Sequence, residues 1–99
     1  MKDPANIVVL RKRDGDLFEF DVMVKDMQGE SRHAVTLSRA TYEQLTASKY
    51  APETCVEASF RFLLDRESKD SILQNFDVAV ISQYFPDFEH ELPNYLSNT

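Results

Sequence analysis

The chain has 99 residues, of which 42% are hydrophobic and 28% charged, and its net charge is -6 at neutral pH. This length supports one core, so we expect a single domain over residues 1–99, and no stretch has the roughly 20 apolar residues that a membrane-spanning helix needs. The start lacks the apolar segment of a secretion signal and the lone Cys55 has no partner for an internal disulfide, so a cytoplasmic location is expected.

Alternating apolar and polar residues predict three strands, at about residues 6–12, 17–26 and 31–38. Two-residue loops at Asp14-Gly15 and Gln28-Gly29 are expected to join them into a three-stranded antiparallel meander. These loops impose the following pairs: Ile7 with Val22, Val9 with Phe20, Arg11 with Phe18, Phe20 with Leu37, Val22 with Val35, Val24 with His33 and Lys25 with Arg32. A slip of one residue would turn every side chain to the other face, so the register is strongly constrained.

The second face of the predicted sheet is too apolar to be fully exposed to water. Val8, Leu10 and Met23 lie on it among charged residues, with Thr36 on the third strand. Either a helix of the same chain covers part of this face, or a second copy does. We take Val8, Leu10, Met23 and Thr36 as the candidate interaction surface.

From Ser38 onward apolar residues recur every three or four positions, which predicts helices at about 40–49, 52–66, 69–76, 78–85 and 87–92. Ser38 or Thr41 is expected to cap the first helix, Pro52 to begin the second and Pro93 to end the last. Three to five such helices packed on one face of the sheet give an α+β fold. Residues 78–81 could form a fourth strand instead, although the apolar spacing favours a helix.

A thiol and an imidazole form the first candidate for catalysis. Cys55 lies on the helix expected to cover the sheet, and His33 on the core-facing side of the third strand. A nucleophilic thiolate would require a partly exposed Cys55 beside positive charge. Buried cysteines usually act as small apolar residues, so the structural interpretation is preferred and no catalytic residue is assigned.

Metal and cofactor sites are not supported by the sequence. His90 is surrounded by Asp87, Glu89 and Glu91, but only Asp87 shares its side of a helix, and two ligands do not make a zinc site. Two glycines in the whole chain give no phosphate-binding loop. We therefore assign no metal-binding or cofactor-binding residue.

Charge is divided unevenly along the chain. Residues 1–50 carry eight basic and eight acidic residues, whereas residues 51–99 carry three basic and nine acidic ones. The only basic cluster is Arg11-Lys12-Arg13, and strand alternation is expected to send Arg11 and Arg13 to one face and Lys12 to the other. This balance disfavours a nucleic-acid partner and favours a basic protein or self-association.

Aromatic residues are dense near the end of the chain, where the five rings are those of Phe76, Tyr84, Phe85, Phe88 and Tyr95. Packing in the core is the preferred explanation. The alternative is an aromatic groove or a dimer contact, in which such rings supply much of the binding energy.

The run FRFLLDRE at residues 60–67 and the run ISQYFPDF at residues 81–88 resemble a pattern, FLLxRE followed by YFPxF, in a family of short uncharacterised bacterial proteins. The resemblance covers roughly the second half of the chain. It implies a bacterial cytosolic protein and carries no catalytic or binding residues.

Three functions stay open on the sequence alone. The preferred one is a small non-enzymatic protein-interaction module, with a homodimer as one form of it. A variant is an acidic inhibitor or immunity-type protein that masks a basic partner. The least favoured is a small enzyme that uses Cys55 and His33.

Overall fold

A computed structural model describes residues 5–97 and shows an α+β architecture. Its sheet has four strands in the order β1 (Asn6–Arg13), β2 (Leu17–Asp26), β3 (Gly29–Ser38) and β4 (Asn75–Asp77). The helices are α1 (Arg39–Thr46), α2 (Pro52–Leu64), α3 (Ile81–Tyr84) and α4 (Phe88–Leu96), with 3₁₀ turns at Lys69–Ser71 and Val78–Val80. Within residues 5–97, every helix is too short or too polar to cross a membrane.

The antiparallel meander of β1, β2 and β3 is confirmed, but its predicted register is wrong by two residues in both hairpins. Val9 pairs with Val22 instead of Phe20, and Val22 pairs with His33 instead of Val35. Because the displacement is even, each of these side chains keeps the face that the alternation predicts.

The turn of the second hairpin explains why the observed register differs from the predicted one. Its loop consists of Met27 and Gln28, and Gly29 already pairs with Asp26. The Asp26 carboxylate accepts a hydrogen bond of 2.8 Å from the Gln28 backbone N–H, which fixes the turn one residue earlier than predicted. Lys25 consequently faces Glu30 instead of Arg32. The repulsion between two like charges that the predicted register would impose is therefore absent.

The first hairpin contains a bulge that the alternation does not show. Arg11 lies opposite Phe20 and Arg13 opposite Glu19, so Lys12 is an extra residue. The bulge turns Arg13 to the opposite face from Arg11. The prediction that these two arginines share a face is therefore wrong.

The fourth strand replaces the second half of a predicted helix. Residues 69–76 form a 3₁₀ turn followed by β4, which runs parallel to β3 and pairs with Ala34, Val35 and Thr36. The Ala34 N–H also donates to the carbonyl oxygen of Gln74 at 2.7 Å. Pairing with the open edge of β3 outweighs the local helical preference. Residues 78–81 are helical, as the apolar spacing favours.

The first two long helices begin where the sequence predicts. The Ser38 hydroxyl accepts a hydrogen bond of 3.1 Å from the Thr41 N–H and caps α1. That helix ends at Thr46, three residues early, because Ala47 and Ser48 adopt left-handed backbone angles with φ of 52° and 60°. Helix α2 begins at Pro52 and ends at Leu64, two residues before the predicted end.

The prediction that Pro93 ends the last helix is wrong. Helix α4 continues through Pro93 to Leu96, and Leu92 and Leu96 are both buried. Proline in this position removes one backbone hydrogen bond, to the Glu89 carbonyl. The apolar contacts of the last turn and the bond from the Ser97 N–H to the Pro93 carbonyl, at 3.1 Å, offset that loss.

The core lies between the helices and one face of the sheet. The sheet contributes buried side chains from β2 and β3, and α2 lies across them with Val56 and Phe60 fully buried. Phe62 on the same helix contacts the rings of Phe85, Phe88 and Tyr95 edge to face. All of this packing is on one side, so the other face of the sheet, here called the outer face, is not covered by any helix among residues 5–97.

Candidate functional site

The thiol of the proposed catalytic pair is inaccessible. Cys55 is fully buried in α2, and burial raises the pKa of its thiol to about 12. A thiol in that state supplies almost no thiolate at neutral pH. Cys55 therefore acts as a small apolar residue of the core.

The imidazole of His33 is also buried, and both ring nitrogens are engaged. Nδ1 lies 2.7 Å from the carbonyl oxygen of Leu73, and Nε2 lies 2.8 Å from the Ser31 hydroxyl. Because a carbonyl only accepts, Nδ1 donates to it, and Nε2 shares a hydrogen bond with the serine hydroxyl. His33 thus joins β3 to the segment that precedes β4, and its ring packs against Phe60.

The basic cluster of β1 is neutralised by carboxylates. Each cation has a partner: Arg11 with Glu53 at 2.5 Å, Lys12 with Asp21 at 3.4 Å and Arg13 with Glu19 at 3.5 Å. The Arg11 guanidinium bonds both oxygens of Glu53 and holds the pKa of that carboxyl below its usual value. This arrangement ties β1 to the first turn of α2 and leaves no group of unpaired cations at these three positions.

Metal ligation has no geometric support in the described part of the chain. Residues 5–97 contain no cluster of three or more His, Cys, Asp or Glu side chains that could hold an ion. His90 is exposed, and its helical neighbour Asp87 bonds Arg66 at 3.1 Å instead.

The candidate interaction surface is only partly assembled on the outer face. Val8 lies directly opposite Met23, and Leu10 is two residues along the same strand, with exposed fractions of 45% for Val8 and 59% for Leu10. Thr36 lies at the far side of the sheet, where its hydroxyl donates to Asp77 at 2.6 Å. The apolar part of the outer face is therefore Val8, Leu10 and Met23, without Thr36.

This apolar part borders a free sheet edge. Among residues 5–97, β1 pairs only with β2, and Ile7, Val8, Val9 and Leu10 are four consecutive apolar residues along it. Edge strands in natural proteins usually carry charges or prolines that prevent pairing with another chain. In β1 the first charged residue is Arg11, so the preceding residues 6–10 carry neither a charge nor a proline.

A second candidate site, which the sequence did not predict, is a cleft of about 310 Å³ between the end of α2 and α3. Its lining comes from α2 and the turn that follows it (Leu63, Glu67), from the segment that leads into β4 (Ser71, Ile72, Leu73, Phe76) and from the stretch that contains α3 (Val80, Ile81, Tyr84, Phe85). At its rim the exposed fractions are 50% for Leu73 and 67% for Tyr84. The cleft is open to solvent.

Glu67 gives this cleft its charge. Desolvation of the carboxyl raises its pKa above the ordinary value. Within residues 5–97, no cation and no hydrogen-bond donor pairs with that carboxylate. The cleft therefore combines apolar walls with one poorly solvated negative charge.

The aromatic cluster was the one sequence signal that pointed toward the cleft. Phe88 is buried, and Phe76, Phe85 and Tyr95 pack against the core, as the preferred explanation expects. The alternative explanation, an aromatic groove, also applies in part, because Phe76, Tyr84 and Phe85 line the cleft. No pattern in the sequence distinguished Glu67 from the other acidic residues of helix surfaces.

Comparison with known proteins gives no further information: no family model matches the chain, and no curated protein or solved structure matches it. The resemblance based on residues 60–67 and 81–88 therefore stays a prediction.

Proposed function

We propose that this chain is a non-enzymatic, cytoplasmic protein-interaction module that pairs with a second copy of itself. The surface used is the β1 edge together with the apolar part of the outer face. The observation that carries the proposal is the run of four apolar residues on the edge strand β1, which pairs only with β2 among residues 5–97 and exposes Val8 and Leu10 on the outer face.

A two-fold axis through Val9 gives a pairing that suits the sequence. Antiparallel alignment of two β1 strands about this residue sets Val8 opposite Leu10 of the partner subunit, on the outer face. The basic residues 11–13 then lie opposite residues 5–7, so the two basic runs are kept apart. The two apolar areas become contiguous across the new ladder, and neighbouring side chains partly shield one another from water.

The energetics favour a dimer of modest affinity. Burying a Val or Leu side chain fully contributes about 1.5 to 3 kcal/mol, and the new ladder also satisfies backbone groups of both edges. Association itself costs at least about 4 kcal/mol in lost translational and rotational freedom. The oligomeric state must therefore be measured over a range of concentrations.

Light scattering of the purified chain tests the proposal. We expect a dimer at high concentration that dissociates on dilution. Leu10→Glu should give a monomer at every concentration, because each introduced carboxylate would lie opposite Val8 of the partner subunit. Met23→Glu should weaken the dimer, because its carboxylate would lie beside Val8 within the same apolar area. Both side chains are on the outer face, so the thermal unfolding of the variants should stay cooperative.

Met27→Glu is the matched control. Met27 is 84% exposed, but it lies in the turn between β2 and β3, outside the apolar area formed by Val8, Leu10 and Met23. This variant should dimerise like the parent chain. A parent chain that stays monomeric at millimolar concentration, with stability unchanged by both outer-face substitutions, would remove the basis of the proposal.

The acidic second half favours a second candidate, an inhibitor or immunity-type protein that masks a basic partner. Residues 51–99 carry nine acidic residues against three basic ones. Binding of that kind weakens steeply as salt rises, whereas a dimer held by apolar contact does not. Light scattering of the pure chain at high salt tests the first candidate, whose dimer should persist. The second candidate predicts instead a complex with a basic protein that dissociates as salt rises.

A further inference from the structure

We infer that the cleft between α2 and α3 is a second binding site, which receives a segment of a partner protein that carries a large apolar side chain next to a lysine or arginine. This inference goes beyond the proposed function and uses a different surface. Leu73 and Phe76 line the cleft, whereas Gln74 and Asn75 border the outer face, so this short segment separates the two sites.

The apolar walls define the first half of the ligand. Ile72, Ile81 and Phe85 form a lining that binds water poorly, and the volume of about 310 Å³ is at the low end of the range for ligand sites. A site of this size accepts an apolar side chain and has little room for a nucleotide or a flavin.

The rim favours a polypeptide segment over a free small molecule. Small ligands usually bury most of their surface in an enclosing site, but this cleft is open to solvent. Leu73 and Tyr84 extend the apolar surface outward from the opening, with half or more of each exposed. Tyrosine in such a position is a frequent anchor of protein interfaces.

Glu67 defines the second half of the ligand. A carboxylate in partly apolar surroundings with no counter-ion is unfavourable, and a bound cation would reduce that cost. Within residues 5–97, no lysine or arginine lines the cleft, so no side chain of this part of the chain acts there as a counter-ion to Glu67. An acidic segment would be repelled by Glu67, the only charged residue that lines the cleft within residues 5–97.

Amide chemical shifts of the isotopically labelled chain test the inference with three short capped peptides. The first peptide has leucine and phenylalanine between two lysines, the second has the same residues between two glutamates, and the third has glycine and serine between two lysines. We expect only the first to shift the amides of residues 71–73 and 81–85 in a saturable way. Failure of all three to perturb these amides would overturn the inference.

Glu67→Gln separates the charge from the shape of the cleft. The amide keeps the size of the side chain, so the variant should bind the first peptide about three- to fivefold more weakly and lose its preference over the second. Equal binding of the first two peptides by the parent chain, or unchanged binding by Glu67→Gln, would contradict the assignment of a cationic segment.

Two further variants complete the design. Leu73→Ala removes exposed apolar surface at the rim and should weaken the first peptide without affecting the fold. Leu10→Glu alters only the outer face and should bind the peptide like the parent chain. Loss of dimerisation in Leu10→Glu with intact peptide binding therefore distinguishes this site from the proposed dimer contact.

Discussion

At Glu67, packing has placed a carboxylate in apolar surroundings, where desolvation raises its pKa. A carboxyl whose pKa is raised in the folded state destabilises the fold at pH values above that pKa and has no such effect below its ordinary value. We therefore expect Glu67→Gln to raise the free energy of unfolding at neutral pH by less than about 1 kcal/mol, since the site is partly open to water. This increase in the free energy of unfolding should disappear in acid, and thermal unfolding at several pH values would measure it.

Glu53→Gln is a control for which we expect the opposite effect on stability at neutral pH. Its pairing with Arg11 lowers the pKa of the Glu53 carboxyl in the folded state. The stability it contributes is therefore present at neutral pH and is lost as the pH falls through the folded pKa. Glu53→Gln should lower the melting temperature at neutral pH and have little effect in acid. Equal responses of the two variants would contradict both assignments.

Cys55 leads to a prediction about reactivity. Because the thiol is fully buried and its pKa is raised to about 12, we expect a thiol reagent to label the native chain no faster than the chain unfolds. Labelling in denaturant should be rapid and complete. Fast reaction under native conditions would show that α2 opens locally, and it would restore the thiol as a candidate nucleophile.

Single residues were predictable where their type alone limits their role. The structural interpretation of Cys55 follows from how such side chains behave in cores. For His33 a position at the rim in contact with water was expected, whereas the ring is buried and bonds the Leu73 carbonyl. Glu67 was not predictable. Its environment depends on residues from three separate segments, and its place next to the charged run of α2 suggested an exposed helix surface.

At the scale of elements, the N-terminus of α1 provides a direct test. Ser38→Ala removes the hydroxyl that accepts from the Thr41 N–H and should cost about 1 kcal/mol in unfolding free energy. Ser68→Ala is the matched control, because the side chain of Ser68 caps no backbone N–H of its 3₁₀ turn. A loss in the control as large as that in Ser38→Ala would show that capping is not the cause.

The elements themselves were largely readable from periodicity, but their ends and pairings were not. The alternation of β2 gives the correct face for Phe18, Phe20 and Val22, whereas the register depends on which residues form the turns. The bulge at Lys12 and the left-handed angle at Ala47 leave no mark on an apolar pattern. β4 was missed because three residues are too few to show a period, and its pairing with β3 is made across the fold.

At the scale of the whole molecule, the two faces of the sheet should respond very differently to the same substitution. Leu37→Ala removes a fully buried side chain from the core face and should cost about 2 to 5 kcal/mol. Leu10→Ala removes an exposed side chain from the outer face and should cost less than about 1 kcal/mol. Urea unfolding at concentrations where the chain is monomeric would measure both. Similar losses would mean that the outer face is covered in the monomer.

The parallel pairing of β4 also has a consequence for the order in which the chain folds. Its bond between Thr36 and Asp77 joins residues 41 apart, whereas the hairpins close over a few residues. Local contacts form early and distant ones late. We therefore expect Asp77→Ala to accelerate unfolding and to leave the refolding rate nearly unchanged, as stopped-flow kinetics would show. During synthesis and after each partial opening, the sheet would then pass through a three-stranded state with both of its edges free.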